Sequence, residues 1–190
     1  LMRNDYVFFW HETSENGWAS QWYQSSFRAR IHLELQLPAG SGPDAQSQSH
    51  TVIVDSEREY SFPTAEHWMM GCKALLFGDT EVFHMILESD PRDARGVKAL
   101  GRAVRGFDEA QWNAARSPVV VQGNLHKFRQ NRELKDALLG TGSRTLVEAS
   151  PRDRVWGIGF GEKRALEMRE SWGLNLLGKA LEEVREILRK

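Results

Sequence analysis

A single cysteine, Cys72, is all the thiol the 190 residues carry, so no intramolecular disulfide can form. That favours a reducing compartment. There is no apolar run of membrane-spanning length and no basic-then-apolar leader at the start. Neither charge sign is in excess: 25 Lys and Arg against 26 Asp and Glu leave a formal net charge of −1. A chain without a positive field is a poor nonspecific duplex binder, although a specific nucleotide pocket remains compatible with it. The six histidines show no metal-ligand spacing, and His67 with Cys72 alone cannot build a zinc site. Neither a Walker A loop, a G-x-S-x-G elbow nor a dinucleotide fingerprint is present.

What is present reads as one soluble domain, residues 1–190, with 41% hydrophobic and 27% charged residues. The first third is mostly β. Tyr6–Trp10 is a short β-prone run, and a polar turn leads into the aromatic cluster Trp18, Trp22, Tyr23 and Phe27. Phe27, Ala29, Ile31, Leu33 and Leu35 then alternate with polar residues, the pattern of a strand with one wet face. Residues 38–50, rich in Gly, Ser, Gln and Pro, read as a flexible inserted loop, after which Thr51–Val54 resumes the sheet. The rest is mainly helical. Helices are expected over 65–77 and 79–88, and from Pro91 with Asp90 as its cap. Two more are expected on either side of Ser117-Pro118, another over 134–139, and a last one from Leu174 to the end. Arg144–Ala149 reads as a strand returning to the sheet. The fold class is α+β: a small sheet surrounded by several helices.

The central helix carries the first candidate site. Thr64 is its N-cap, and Glu66 lies in the first turn, where the helix dipole favours a carboxylate. Glu66, Met70 and Lys73 share one face at 3.6 residues per turn. Taken by itself, this helix is most simply a core helix with a partly exposed ion pair. A second candidate is Asp153-Arg154-Val155-Trp156-Gly157-Ile158-Gly159, where glycines let backbone N–H groups approach a ligand. Its simpler reading is a tight turn with Trp156 as filler. Lys127 reads as an ordinary solvated helix lysine.

Taken in order, these pieces resemble a known family. Ala65-Glu66-His67, Lys73-Ala74, Lys127-Phe128, Leu139-Gly140-Thr141-Gly142 and Leu146-Val147-Glu148-Ala149-Ser150 come in the expected sequence. Asp153-x-x-Trp156-Gly157-x-Gly159 and Trp172-Gly173-x-Asn175-Leu176-Leu177-Gly178-Lys179-Ala180-Leu181 complete it. This set is similar to the NADAR, or YbiA-like, N-glycosidases. Three features depart from the family pattern. Ser20-Gln21-Trp22 stands where relatives often have Ser-Asn-Phe, Glu182 replaces a methionine, and the 38–50 loop is long.

The resemblance implies hydrolysis of a ribose–base N-glycosidic bond, with ADP-ribose on modified guanine as the leading substrate. That guanine would be a nucleoside or part of DNA or RNA. Ribosylated riboflavin-pathway intermediates are the alternative, and a non-catalytic ADP-ribose reader the second. Glu66, Lys73 and Asp153 are the implied catalytic residues. Trp22, Lys127, Trp156, Gly157, Gly159 and Asn175 are the implied substrate contacts. Lys73 either orients substrate by its charge or attacks the opened sugar aldehyde. No metal, cofactor or obligate protein partner is expected, and the expected location is the cytoplasm, with the nucleus also compatible.

Overall fold

A computed structural model describes residues 2–38 and 49–190. The expected loop over residues 38–50 therefore falls almost wholly outside the described residues. The architecture is α+β, and packing divides the chain into two compact units. One consists of the residues up to Tyr23 together with Phe128–Lys190, and the other is Gln24–Lys127.

In the Gln24–Lys127 unit, β2 (Phe27–Leu37) and β3 (His50–Phe62) form an antiparallel ladder. β2 buries every second residue, as its alternation predicts. β3 is one strand, although Asp55–Arg58 breaks its hydrophobic pattern. The polar stretch stays in the ladder because β2 supplies partners at a register shift between Arg30 and His32. There Ile31 N–H donates to Ser56 Oγ at 2.9 Å, and the Arg30 guanidinium binds Asp55 at 2.9 and 3.0 Å.

Helix α1 (Ala65–Leu76) buries every residue from Ala65 to Ala74, and α2 (Thr80–Glu88) and α3 (Ala94–Arg102) pack against it. Thr64 caps α1 as expected, its hydroxyl accepting from His67 N–H at 3.2 Å. α3 begins later than Asp90-Pro91 suggests. Asp90 closes a preceding turn by accepting from Arg92 N–H, whereas Asp93 caps the helix by accepting from Gly96 N–H at 2.8 Å.

The largest departure is α4, a single 22-residue helix from Glu109 to Gln130 that runs through Pro118. An interior proline costs about 3 kcal/mol. Tertiary packing offsets this cost: Ala115, Val119 and Val120 are essentially solvent-free. Trp68 also donates its indole N–H to the Val119 carbonyl at 2.9 Å, and its ring occupies the space a Cβ on Gly123 would need.

In the other unit, β1 (Tyr6–Phe9) pairs in parallel with β4 (Thr145–Glu148). The returning strand therefore joins β1, and the described strands make two separate ladders. Tyr6, Phe8, Val147, Ala149 and Ile158 form a core cluster with Ala165 of α6 (Glu162–Ala165). Helices α5 (Arg132–Gly140) and α7 (Leu176–Arg189) complete the unit. No helix among the described residues is long and apolar enough to cross a membrane.

Candidate active site

Glu66, Lys73 and Lys127 belong to the Gln24–Lys127 unit. Trp22, Asp153, Trp156, Gly157, Gly159 and Asn175 belong to the other.

Glu66 is 3% exposed, on the first turn of α1, at the positive end of the helix dipole. Next to it His67 is also buried, with Nδ1 2.8 Å from the Thr64 hydroxyl. Burial pushes the His67 pKa down, which favours a neutral imidazole.

Lys73 is buried, and no ion pair joins it to Glu66. Seven residues along a helix are about 10 Å of axis, too far for a direct pair even on one face. The Lys73 ammonium instead lies over two aromatic faces, 4.4 Å from the Phe107 ring centre and 5.5 Å from that of Trp112. Desolvation lowers its pKa, and the positive charge of Arg102 lowers it further.

Lys127 is a correction to the sequence reading. It is fully buried rather than solvated, and burial pushes its pKa down to about 7. Taking an ammonium out of water is costly, and that desolvation is what lowers the value.

The second group is built differently. Asp153 Oδ1 accepts from Val155 N–H at 2.9 Å and Trp156 N–H at 2.8 Å, closing the turn that starts the glycine loop. A Cβ on Gly157 would come within 2.7 Å of the Glu148 carbonyl oxygen, and Gly159 has φ +78°. Both glycines therefore answer to backbone packing and conformation.

The loop is stitched on both sides: Ile158 N–H donates to Glu148, and Leu176 and Leu177 N–H donate to Val155 and Trp156. Asn175 sits at φ 50° before α7, a conformation asparagine tolerates better than most residues. Its Nδ2 donates to Leu146 O at 2.8 Å, and its Oδ1 accepts from Glu148 N–H at 3.0 Å. The side-chain amide thus binds the edge of β4. Trp22 and Trp156 are half-buried.

A cavity of about 670 Å³ in this unit is lined by Tyr6, Trp10, Trp18 and Arg144 among others, and by none of the candidate residues. Its arginines are committed: Arg144 donates to the Gly140 and Thr141 carbonyls, and Arg3 pairs with Glu162.

Sequence reasoning missed Arg102, Phe107, Trp112 and Arg116. Trp112 and Arg116 follow the Asp108 cap at steps of four, a helical spacing visible in the sequence. What was not visible is that their helix lies against Lys73.

The NADAR domain family matches residues 8–189, across both units. N-glycosidase R617 of Acanthamoeba polyphaga mimivirus is 43% identical over 135 residues, 70% of this chain and 78% of that protein. A riboflavin biosynthesis protein, chloroplastic PYRR of Zea mays, is 31% identical over 149 residues, 73% of this chain but 22% of that protein. The NMR structure of the E. coli protein YbiA superposes with a TM-score of 0.65 at 21% identity, covering all of this chain and 88% of that one. At that identity the superposition speaks for the fold alone. The chain belongs to the NADAR family.

Proposed function

We propose that this protein is an N-glycosidase that hydrolyses the bond between a ribose and a nitrogen base, with ADP-ribose on modified guanine as its substrate. The observation that carries this reading is the desolvated charge on α1. Glu66 and Lys73 sit buried on one helix, about 10 Å apart along its axis, with the Lys73 ammonium held over aromatic faces. Structural charges of this kind are costly to keep, and enzymes keep them where charge develops during reaction.

Departure of a base from ribose builds positive charge at the anomeric carbon and negative charge on the base. A carboxylate serves the first, and a proton donor the second. Glu66 and Asp153 are the carboxylates in this reading, and Lys127, with a proton exchangeable near neutrality, is suited to the leaving base. The lowered Lys73 pKa supports its role as an amine. In that role Lys73 condenses with the C1 aldehyde of the ring-opened sugar, releasing water, and hydrolysis of the imine restores both. Trp22 and Trp156 are the rings available for the base. Asn175, Gly157 and Gly159 serve in this reading as positioning residues for the Asp153 loop.

A second substrate class is favoured by the riboflavin biosynthesis proteins among the relatives. Incubation with ADP-ribosylated guanosine and, separately, with the ribosylated riboflavin intermediate decides between them. Guanosine and ADP-ribose, detected by mass, are the expected products, guanosine being the base-bearing group released. Release of the riboflavin-pathway base alone moves the assignment to the second class, and release of neither base removes the glycosidase reading.

A further inference from the structure

Lys73 and Arg102 act on each other beside the Phe107 and Trp112 rings, and Arg116 follows Trp112 by one turn of its helix, all within the Gln24–Lys127 unit; the role proposed above uses only Lys73. Arg102 ends α3, whose Gly101 packs so closely on Met70 of α1 that a Cβ there would collide with the methionine sulfur. This brings Arg102 near enough to Lys73 for its charge to act on the amine. Among the described residues Arg102 makes no ion pair or hydrogen bond. Arg116 lies one turn beyond Trp112 on α4, half-buried, and its Nε is out of water without a hydrogen-bond partner.

A helix C-terminus favours an arginine, which accounts for the charge of Arg102. It does not account for a second guanidinium with an orphaned buried donor, since such a group costs stability unless an acceptor arrives.

Phe107 completes the arrangement. It is 47% exposed although its ring covers Lys73 and meets Phe77 edge-on at 5.5 Å. Its position is fixed from both sides. Arg105 is clamped to Asp79 by three hydrogen bonds, Gly106 reverses the chain at φ +72°, and Asp108 caps α4 through Gln111 N–H. An exposed aromatic face held rigidly beside uncommitted guanidinium groups matches a ligand with a planar ring and an anionic ester.

We propose that Arg102 and Arg116 form a subsite for the phosphate or diphosphate of a nucleotide-like substrate, with Phe107 as the platform for its ring and Lys73 facing its sugar. This rests on the reading of Lys73 as a site residue.

The test is equilibrium binding by calorimetry on the full chain with three probes: ADP-ribose, ribose 5-phosphate and adenosine. Arg102→Ala and Arg116→Gln are expected to weaken both phosphate probes about tenfold or more and to leave adenosine unchanged. Phe107→Ala is expected to weaken ADP-ribose and adenosine but not ribose 5-phosphate. ADP-ribose binding much tighter than ribose 5-phosphate identifies a diphosphate ligand, and equal binding identifies a single phosphate. Unchanged phosphate affinity in both arginine variants with wild-type melting temperatures overturns the subsite, as does a wild-type protein that binds neither phosphate probe. An unaffected Phe107→Ala removes the ring platform. Base release by the wild-type protein, measured separately, keeps the two readings apart. Turnover with arginine-independent binding breaks the subsite alone, and arginine-dependent binding without turnover breaks the catalytic reading alone.

Discussion

The α1 helix and the Asp153–Gly159 loop both carry candidate polar residues in the sequence, yet they use their polar atoms in opposite ways. In the loop, Asp153 and Asn175 commit side-chain atoms to neighbouring backbone, and the glycines make room for the Glu148 carbonyl or for a left-handed turn. On α1, Lys73 has no carboxylate partner among the described residues and is met by aromatic faces. A loop has many unpaired backbone groups that its own side chains can satisfy, whereas the middle of a helix has almost none. Charge buried on a helix is therefore the stronger pointer to chemistry, and glycine with asparagine in a loop is first of all a statement about architecture.

Glu66→Gln tests the helix side most directly. The amide preserves volume and removes charge and basicity, so turnover is expected to fall about a hundredfold or more while the melting curve stays in place. A folded variant releasing base at near wild-type rate would remove Glu66 from the chemistry.

Lys73→Arg comes next and separates two mechanisms. By the covalent route the variant is nearly inactive, because arginine keeps the charge but is no amine nucleophile. Borohydride added during turnover then leaves the sugar on Lys73, read by peptide mass. An active arginine variant with no trapped adduct would leave Lys73 as an orienting charge.

Asp153 sharpens the comparison, since its carboxylate has an architectural use already. Asp153→Asn keeps an oxygen for Val155 and Trp156 N–H, whereas Asp153→Ala loses both bonds, about 1–3 kcal/mol of stability. If the charge is catalytic, asparagine retains the melting temperature and loses turnover. Equal turnover in asparagine and wild type would make Asp153 purely a positioning residue.

The last prediction concerns Lys127 and is read in stability alone. Its folded pKa of about 7 lies below the usual lysine value, so between these values the unfolded chain binds more protons than the native one. Stability contributed through this group is therefore lowest below pH 7 and rises with pH, by at most about 1.4 kcal/mol per unit. Urea midpoints at pH 7, 8 and 9 are expected to rise relative to those of Lys127→Met, and parallel curves for the two proteins would show a Lys127 that stays charged.

Local pattern was enough to read the alternation of β2, the Thr64 cap and the apolar stripe of α7, because each depends on residues close in sequence. The ordered motifs from Ala65 to Leu181 were enough to identify the family, which the match over residues 8–189 agrees with. Sequence also supplied the candidate residue types, with Glu66 and Lys73 on one helical face. Tertiary structure decided whatever depended on partners distant in the chain. Trp68 and the buried face around Val119 keep α4 continuous through Pro118, and Arg30 keeps the polar middle of β3 in its ladder. The surroundings of the charges were settled in the same way. Burial turned Lys127 from an ordinary surface lysine into an amine that titrates near neutrality, and α3 and α4 brought Arg102, Phe107 and Trp112 to Lys73. A side chain carries its functional group in the sequence, but its desolvation and its neighbours' fields exist only once the chain is packed.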